Sequence, residues 1–424
     1  MKSKPSNPLR GEATAMANSS TDSDLIDRLS DLPDALLITI ISFLPTPIAA
    51  RTSVLCRRFR HLWEASPSLE LISKDYLFHS SAENFVAMAN RALLNRNPSH
   101  PLQSLRLEVS HCDPCAKAMV SSLLARARSL DLRHLTMEDF WLSDFLPILP
   151  IVFTINSLRC LSLHLRSHSR QELNFPSGIN LTCLRSLSLQ LIAIDLADLN
   201  PLLSELCSLE DLYLRTTDTP KLSLSSQTIR KLKLIITNRT KNLDILELSL
   251  PSLELLHLEI QCNSGNLSHI YAKAPLLRKA VIKFSFFHER NASAVAGLLN
   301  CISHVEELSL HLVEFLQDEN PIPILSGKDV PHFHNLKHLD VTLCFHQHNL
   351  AAVIMMLLNC PILKSLKLIF LTGLVRGKKR EVWQSKLPQN ADGNDRYAYF
   401  NNLHLEENRK EVIKLLSKKC SSKR

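Results

Sequence analysis

A chain of 424 residues that is 45% hydrophobic and only 21% charged has length for two or three domains and apolar content for a large core. Its 8 glycines argue against Gly-rich phosphate loops, and no Walker or GxGxxG pattern occurs. The net charge of +8 is local: residues 376–424 hold 13 Lys/Arg and 6 Asp/Glu (+7), leaving 36 against 35 (+1) elsewhere, so the body lacks the global field that suits nucleic acid.

Residues 1–24 are polar and rich in Ser, Asn and Pro, without the apolar core of a signal peptide, and read as a disordered lead-in. No apolar run approaches the roughly 18 residues of a membrane span, and Phe145–Ile155 is broken by Pro147 and Pro150. The 11 cysteines are odd in number and scattered through apolar segments, as free thiols in a reducing compartment would be. Cys112-x-x-Cys115 has no second pair at metal-site spacing. Sequons begin at Asn18, Asn180, Asn238, Asn266 and Asn291, and without a secretory signal they read as chance matches.

The first predicted element is helical. Leu32, Leu36, Ile40 and Leu44 recur every four residues, and Leu37 and Ile41 widen the stripe. Pro33 suits the first turn, and Pro45 and Pro47 stop the helix. Val54, Leu55, Phe59, Leu62 and Trp63 predict a second amphipathic helix. A unit of about forty residues buries too little surface to stand alone, so part of this apolar face should meet another protein or the rest of the chain.

Further along, Leu-x-x-Leu-x-Leu recurs, as at Leu158–Leu163, Leu184–Leu189, Leu209–Leu214 and Leu253–Leu258. The central apolar residues fall at 105, 130, 161, 187, 212, 232, 256, 280, 308, 339 and 366, the copy at Ala127–Leu132 being weak. These spacings bracket the 20–29-residue period of leucine-rich repeats. The Leu-x-Leu alternation predicts a strand with one apolar face, and return segments such as Ala292–Leu299 and Leu350–Leu358 predict helices. A single unit cannot bury its leucines, so neighbours should stack into a curved α/β solenoid with a parallel concave sheet. A doubly wound α/β domain shares this rhythm, but its strands read as continuous Val/Ile runs.

Together these residues carry a resemblance. Leu32-Pro33 at the helix start, Ile40-Ile41-Ser42-Phe43-Leu44-Pro45 at its end, and Arg51–Trp63 resemble an F-box, departing at Phe59, where plant members usually have Trp. Followed by such repeats, the chain resembles the plant F-box/leucine-rich-repeat family. The resemblance implies a non-catalytic substrate-recognition subunit of an SCF-type cullin ubiquitin ligase. Its F-box would dock on the ligase adaptor, with the cullin reached indirectly, and its repeats would hold an unknown protein target. The alternative is an interaction scaffold or small-ligand sensor without a ligase role; a secreted repeat receptor would explain the sequons but lacks a signal peptide.

The implied layout is a lead-in at 1–24, an F-box at 25–65, linker and cap helices at 66–100, a solenoid at 101–375, and a basic tail with a possible degenerate domain at 376–424, where Glu407–Leu416 suggests a helix. Expected adaptor contacts are Leu32, Pro33, Leu36, Leu37, Ile40, Leu44, Pro45, Val54, Leu55, Phe59 and Trp63. Expected target contacts are the outward positions Tyr213, Arg215, Lys231, Lys233, His257, Lys279 and Lys283, read as one basic patch with an aromatic. No catalytic constellation, cofactor, nucleic acid or membrane is expected, and the compartment is cytoplasm or nucleus. The histidines at 332, 334, 338, 346 and 348, with Cys344, read as surface residues of one repeat rather than a metal site.

Overall fold

The computed structural model describes residues 29, 31–72, 82–93, 96, 99–109, 114–176, 178–196, 198–238, 240, 242–262, 267–285, 292–313, 331–344, 356–371 and 397–404. The lead-in, Cys112, His346, His348, the sequons at Asn18, Asn266 and Asn291, and the segment 407–416 lie outside the described residues.

The first helix among the described residues is α1 (Asp34–Ile41), and Pro33 stands just before it, at the N-cap. Asp34 opens the first turn, where a carboxylate opposes the positive end of the helix dipole. Pro45 and Pro47 belong to the start of a further helix, α2 (Thr46–Arg51). The second amphipathic helix expected over Val54–Trp63 is absent. Two short 3-10 turns, Thr52–Val54 and Leu62–Ala65, flank an irregular segment instead. Its physical cause is tertiary: Arg58 binds the Asp34 carboxylate (Nε–Oδ1 2.7 Å) and the Leu32 carbonyl, while Phe59, Leu62 and Trp63 turn into the core.

The rest is built on a large sheet. Its strands are β1 (Ser68–Ile72), β2 (Ser104–Glu108), β3 (His134–Trp141), β4 (Cys160–Leu173), β5 (Ser186–Leu196), β6 (Asp211–Thr217), β8 (Lys231–Asn238), β10 (Leu255–Cys262), β12 (Lys279–Ser285), β13 (Glu307–Val313), β14 (His338–Cys344), β15 (Ser365–Leu371) and β16 (Tyr397–His404). They lie side by side in that order, parallel throughout except for β16, which pairs antiparallel with β15. A strand therefore falls within the expected tail, and another, β1, falls within the segment expected to hold cap helices. The helix Ala82–Leu93 does follow β1.

The register puts the repeat leucines in rows. One row runs Leu105, Leu135, Leu161, Leu187, Leu212, Leu232, Leu256, Ala280, Leu308, Leu339 and Leu366, none more than 2% exposed. The weak copy centred on Leu130 is out of register. Leu130 follows the helix Pro114–Arg128, and the working copy is Leu132-Arg133-His134-Leu135-Thr136-Met137. Leu69 extends the row backward onto β1, where buried Ser66 stands in for the first leucine of the pattern.

Spacing decides what returns the chain. Between β6 and β12 the strand centres at 212, 232, 256 and 280 are the closest set, leaving room only for strands. These are β7 (Lys221–Ser225), β9 (Leu243–Ser249) and β11 (Leu267–Lys273), a separate parallel sheet behind the large one. Longer units hold helices, such as Ala292–Cys301 before β13, as its sequence predicts. At the N-terminal ends of the strands from β5 to β14 the charges alternate along the ladder: Arg185, Glu210, Arg230, Glu254, Arg278, Glu306, Lys337. Each backbone N–H here donates to the carbonyl of the preceding rung's residue, as in Glu210 to Arg185 (2.9 Å) and Lys337 to Glu306 (2.8 Å). Ion pairs close three of these steps: Arg185–Glu210 at 3.7 Å, Arg230–Glu254 at 3.4 Å and Lys337–Glu306 at 2.7 Å. Exposed pairs of this kind stabilise little, about 0–1 kcal/mol each, but like charges at any step would repel.

One buried cation joins the helical unit to the solenoid. Arg96 is 2% exposed and donates to four carbonyls: Glu64 (2.9 Å) and Ala65 (3.3 Å) on the helical side, His100 (2.9 Å) and Pro101 (3.0 Å) on the other. Burial lowers its pKa to about 10, so it remains charged at neutral pH. Arg91 adds an ion pair to Glu64 (2.9 Å) and lies over the Trp63 ring (5.6 Å). The Glu70 N–H donates to the buried Thr46 hydroxyl (2.7 Å), fastening β1 to α2.

Candidate functional site

Two surfaces hold the residues singled out by sequence. In the helical unit the expected adaptor contacts divide. Leu37, Phe59 and Trp63 are buried at 1%, 4% and 2% and form the unit's own core with Ile41 and Leu62. They support the surface rather than line it. Leu36, Ile40, Leu44, Val54 and Leu55 are exposed, as are Pro33 and Pro45, while Leu32 is half-buried against the core.

Sequence reasoning left out Phe43 and Ile48 as contacts. Phe43 is 81% exposed and Ile48 44%. The helical period places Leu36, Ile40 and the residues just beyond α1 on one side, while Leu37 and Ile41 occupy the core side. The available signal was the width of the stripe: α1 is apolar on more than one face, and one face suffices for the intramolecular core.

On the large sheet, the positions between the leucine rows project from the face opposite the return segments. One outward row reads Asp211, Lys231, Leu255, Lys279, Glu307; the next Tyr213, Lys233, His257, Val281, Ser309; the third Arg215, Ile235, Glu259, Lys283, His311. All seven expected target contacts lie on this face, but not as one basic patch. Lys231 pairs with Asp211 (3.4 Å) and Lys279 with Glu307 (2.7 Å). Among the described residues Arg215, Lys233 and Lys283 form no ion pair within 4.0 Å. Lys233 Nζ lies 4.9 Å from the centre of the Tyr213 ring.

Two imidazoles share this area. His257 is held below the ordinary histidine pKa first by burial, then by Lys283 and Lys233, against an opposing contribution from Glu259. His311 is lowered by burial and Lys283, with Asp340 opposing. His257 Nε2 is buried and has no hydrogen-bond partner; the nearest carboxylate oxygen, on Glu259, is 3.8 Å away. That Glu259 carboxylate instead accepts from Gln261 Nε2 at 2.6 Å.

No other chemistry emerges from the described residues. They contain no group of His, Cys, Asp and Glu disposed to hold a metal, and the His332 and His334 rings stack with centroids 6.1 Å apart. Asn238 of the third sequon is wholly buried, its amide donating to the Thr219 carbonyl (2.9 Å) and its Oδ1 accepting from the Thr219 N–H (3.0 Å). That side chain is committed to the core. No helix among the described residues is long and apolar enough to cross a membrane.

Comparison with known proteins matches these two surfaces to two domains. The F-box domain profile matches residues 29–71, which takes in the helical unit and most of β1. The profile described as At1g61320/AtMIF1, LRR domain matches residues 151–390. F-box/FBD/LRR-repeat protein At2g04230 of Arabidopsis thaliana is 32% identical over 223 residues, 50% of this chain and 48% of the relative. The putative F-box/FBD/LRR-repeat protein At1g16940 of the same plant is 25% identical over 320 residues, 74% of this chain and 67% of the relative. A third, At4g00160, is 58% identical over 50 residues, 12% of this chain and 11% of the relative. The alignments with At2g04230 and At3g52680 span 48% and 41% of those relatives' own lengths. The apolar helical face, the ladder of leucine rows and these matches place the chain in the plant F-box/leucine-rich-repeat family.

Proposed function

We propose that the chain is the substrate-recognition subunit of an SCF-type cullin ubiquitin ligase, without catalytic chemistry of its own, working in the cytoplasm or nucleus. The F-box docks on the ligase adaptor, which links it to the cullin, and the open face of the solenoid holds the target protein. The observation that carries this reading is the exposed apolar set Leu36, Ile40, Phe43, Leu44, Ile48, Val54 and Leu55 on so small a helical unit. Burying each such side chain is worth about 1.5–3 kcal/mol, which gives a partner reason to cover them. The joint through Arg96 supports the same reading, because a receptor must hold its target in a fixed position relative to the adaptor.

The test is capture by a recombinant plant adaptor of this type. Phe43→Asp with Val54→Asp should weaken capture by about tenfold or more, on the scale of about 1.4 kcal/mol per decade. Both side chains are exposed, so the melting temperature should hold. Undiminished capture by the folded double variant would falsify the docking assignment.

A further inference from the structure

We propose that the open face around β8, β10 and β12 is a single-phosphate site, in which Lys233 and Lys283 clasp the phosphate of a phosphoserine or phosphothreonine in an extended target peptide, beside His257. The proposal deepens the receptor reading, on which it rests only for the peptide being a substrate.

Charge placement carries it. Of the five cations expected to form one patch, Lys231 and Lys279 are neutralised by Asp211 and Glu307 on adjoining strands. Lys233 is the lateral neighbour of His257, and Lys283 lies two residues beyond Val281, the other lateral neighbour of His257. Adjacent strands are about 4.8 Å apart, so lysine side chains from β8 and β12 are long enough to meet a ligand above β10, Lys233 swinging there from the Tyr213 ring on β6 and Lys283 from beside its lateral neighbour Glu259. Arg215 lies two residues beyond Tyr213, on the next strand.

The same map selects the ligand. Asp211, Glu259, Glu307 and Asp340 alternate with the cations across the rungs. A nucleic-acid backbone needs a continuous basic track, and these carboxylates interrupt it. A carboxylate side chain carries one charge and is matched by one lysine. A phosphate monoester carries about −1.5 to −2 at pH 7, with three acceptor oxygens, and matches two lysines and an imidazole. Nε2 of His257, buried with Glu259 Oε2 3.8 Å away and no closer acceptor, gains a nearer partner in a phosphate oxygen. Tyr213, Ile235 and Val281, also outward-facing, supply apolar contact for residues flanking the phosphate.

The experiment uses the full chain and three probes: a degenerate peptide pool fixed on phosphoserine or phosphothreonine, the same pool unphosphorylated, and inorganic phosphate as competitor. The phosphorylated pool should be retained about tenfold better, since charge-assisted bonds to two lysines are at stake. Lys233→Ala and Lys283→Ala should each erase most of that preference, while Lys231→Ala and Lys279→Ala keep it. Equal retention of the two pools overturns the proposal. So does an equal loss from Lys231→Ala and Lys233→Ala, which would mean diffuse charge. Displacement of the pool by an equimolar amount of inorganic phosphate would show an ion site and overturn the peptide assignment. Adaptor capture is measured on the same samples: its loss in the parent chain would sink the receptor reading and leave the phosphate result standing.

Discussion

In the solenoid the inward leucine row is no more than 2% exposed from Leu69 to Leu366, whereas in the F-box Phe43 stands 81% and Val54 83% exposed. Both regions are leucine-rich, so composition does not separate them. The difference is what covers the apolar side. Each rung of the solenoid has a neighbour from the same chain on both sides, and stacking closes the core. The F-box has one such neighbour, β1 with its helices, which takes only the Leu37–Ile41–Trp63 side. A side chain's role therefore follows from its coverage, and the substitutions that distinguish the two regions act through it.

The largest effect should come from the rows themselves. Leu187→Ala or Leu256→Ala, each at a fully buried position, should cost about 2–5 kcal/mol through the cavity left behind. Leu55→Ala, 66% exposed in the F-box, should stay within about 0.5 kcal/mol of the parent. Thermal denaturation of the three variants checks the contrast. A Leu187→Ala protein melting like the parent would break it.

That contrast also explains what was legible. The leucine rows could be read because their period of two within a strand, and the spacing between strands, are written directly in the residues. The error at Leu130 arose where Ala127 and Leu132 mimic the pattern at a helix end; only pairing of Leu135 with Leu105 fixes the register. Strand β1 escaped because Ser66 replaces its first leucine. In the F-box the stripe was visible, but its division into a core side and an open side was not. Periodicity marks Leu36 and Leu37 alike as apolar, and only the packing of Trp63 and Phe59 shows which is covered. On the open face the cations were legible and their neutralisation was not, since Asp211 and Lys231 are neighbours in space yet a full repeat apart in sequence.

A smaller effect is expected at the joint. Arg96→Lys keeps the charge but loses the planar fork that reaches carbonyls on both sides. Leaving buried carbonyls unpaired should cost about 1–3 kcal/mol. Because Glu64 and Ala65 belong to the F-box side, the loss should fall there first. Hydrogen exchange should quicken over residues 34–66 before the rows from β4 onward respond. Uniform loss of protection along the chain would instead mean that the two regions unfold as one unit and that Arg96 is not a separable joint.

The smallest effect is in pH, at two histidines of the solenoid. His257 faces Lys233 on β8, Lys283 on β12 and Glu259 on its own strand; His311 faces Lys283 on β12, Asp340 on β14, Lys367 on β15 and His257. Burial first and the lysines second hold both imidazoles below their ordinary value, so between that value and the lowered one the unfolded chain binds more protons than the folded one. Stability is then complete above about pH 6.5 and is lost as pH falls through the lowered values. Melting temperature should decline as pH falls below about 6.5, and Lys283→Ala, which removes a repulsion shared by both imidazoles, should make the decline shallower. Removing an acid-side repulsion cannot steepen the slope, so a steeper decline in Lys283→Ala would show that Lys283 is not what faces these two histidines, and the map of the open face would have to be redrawn.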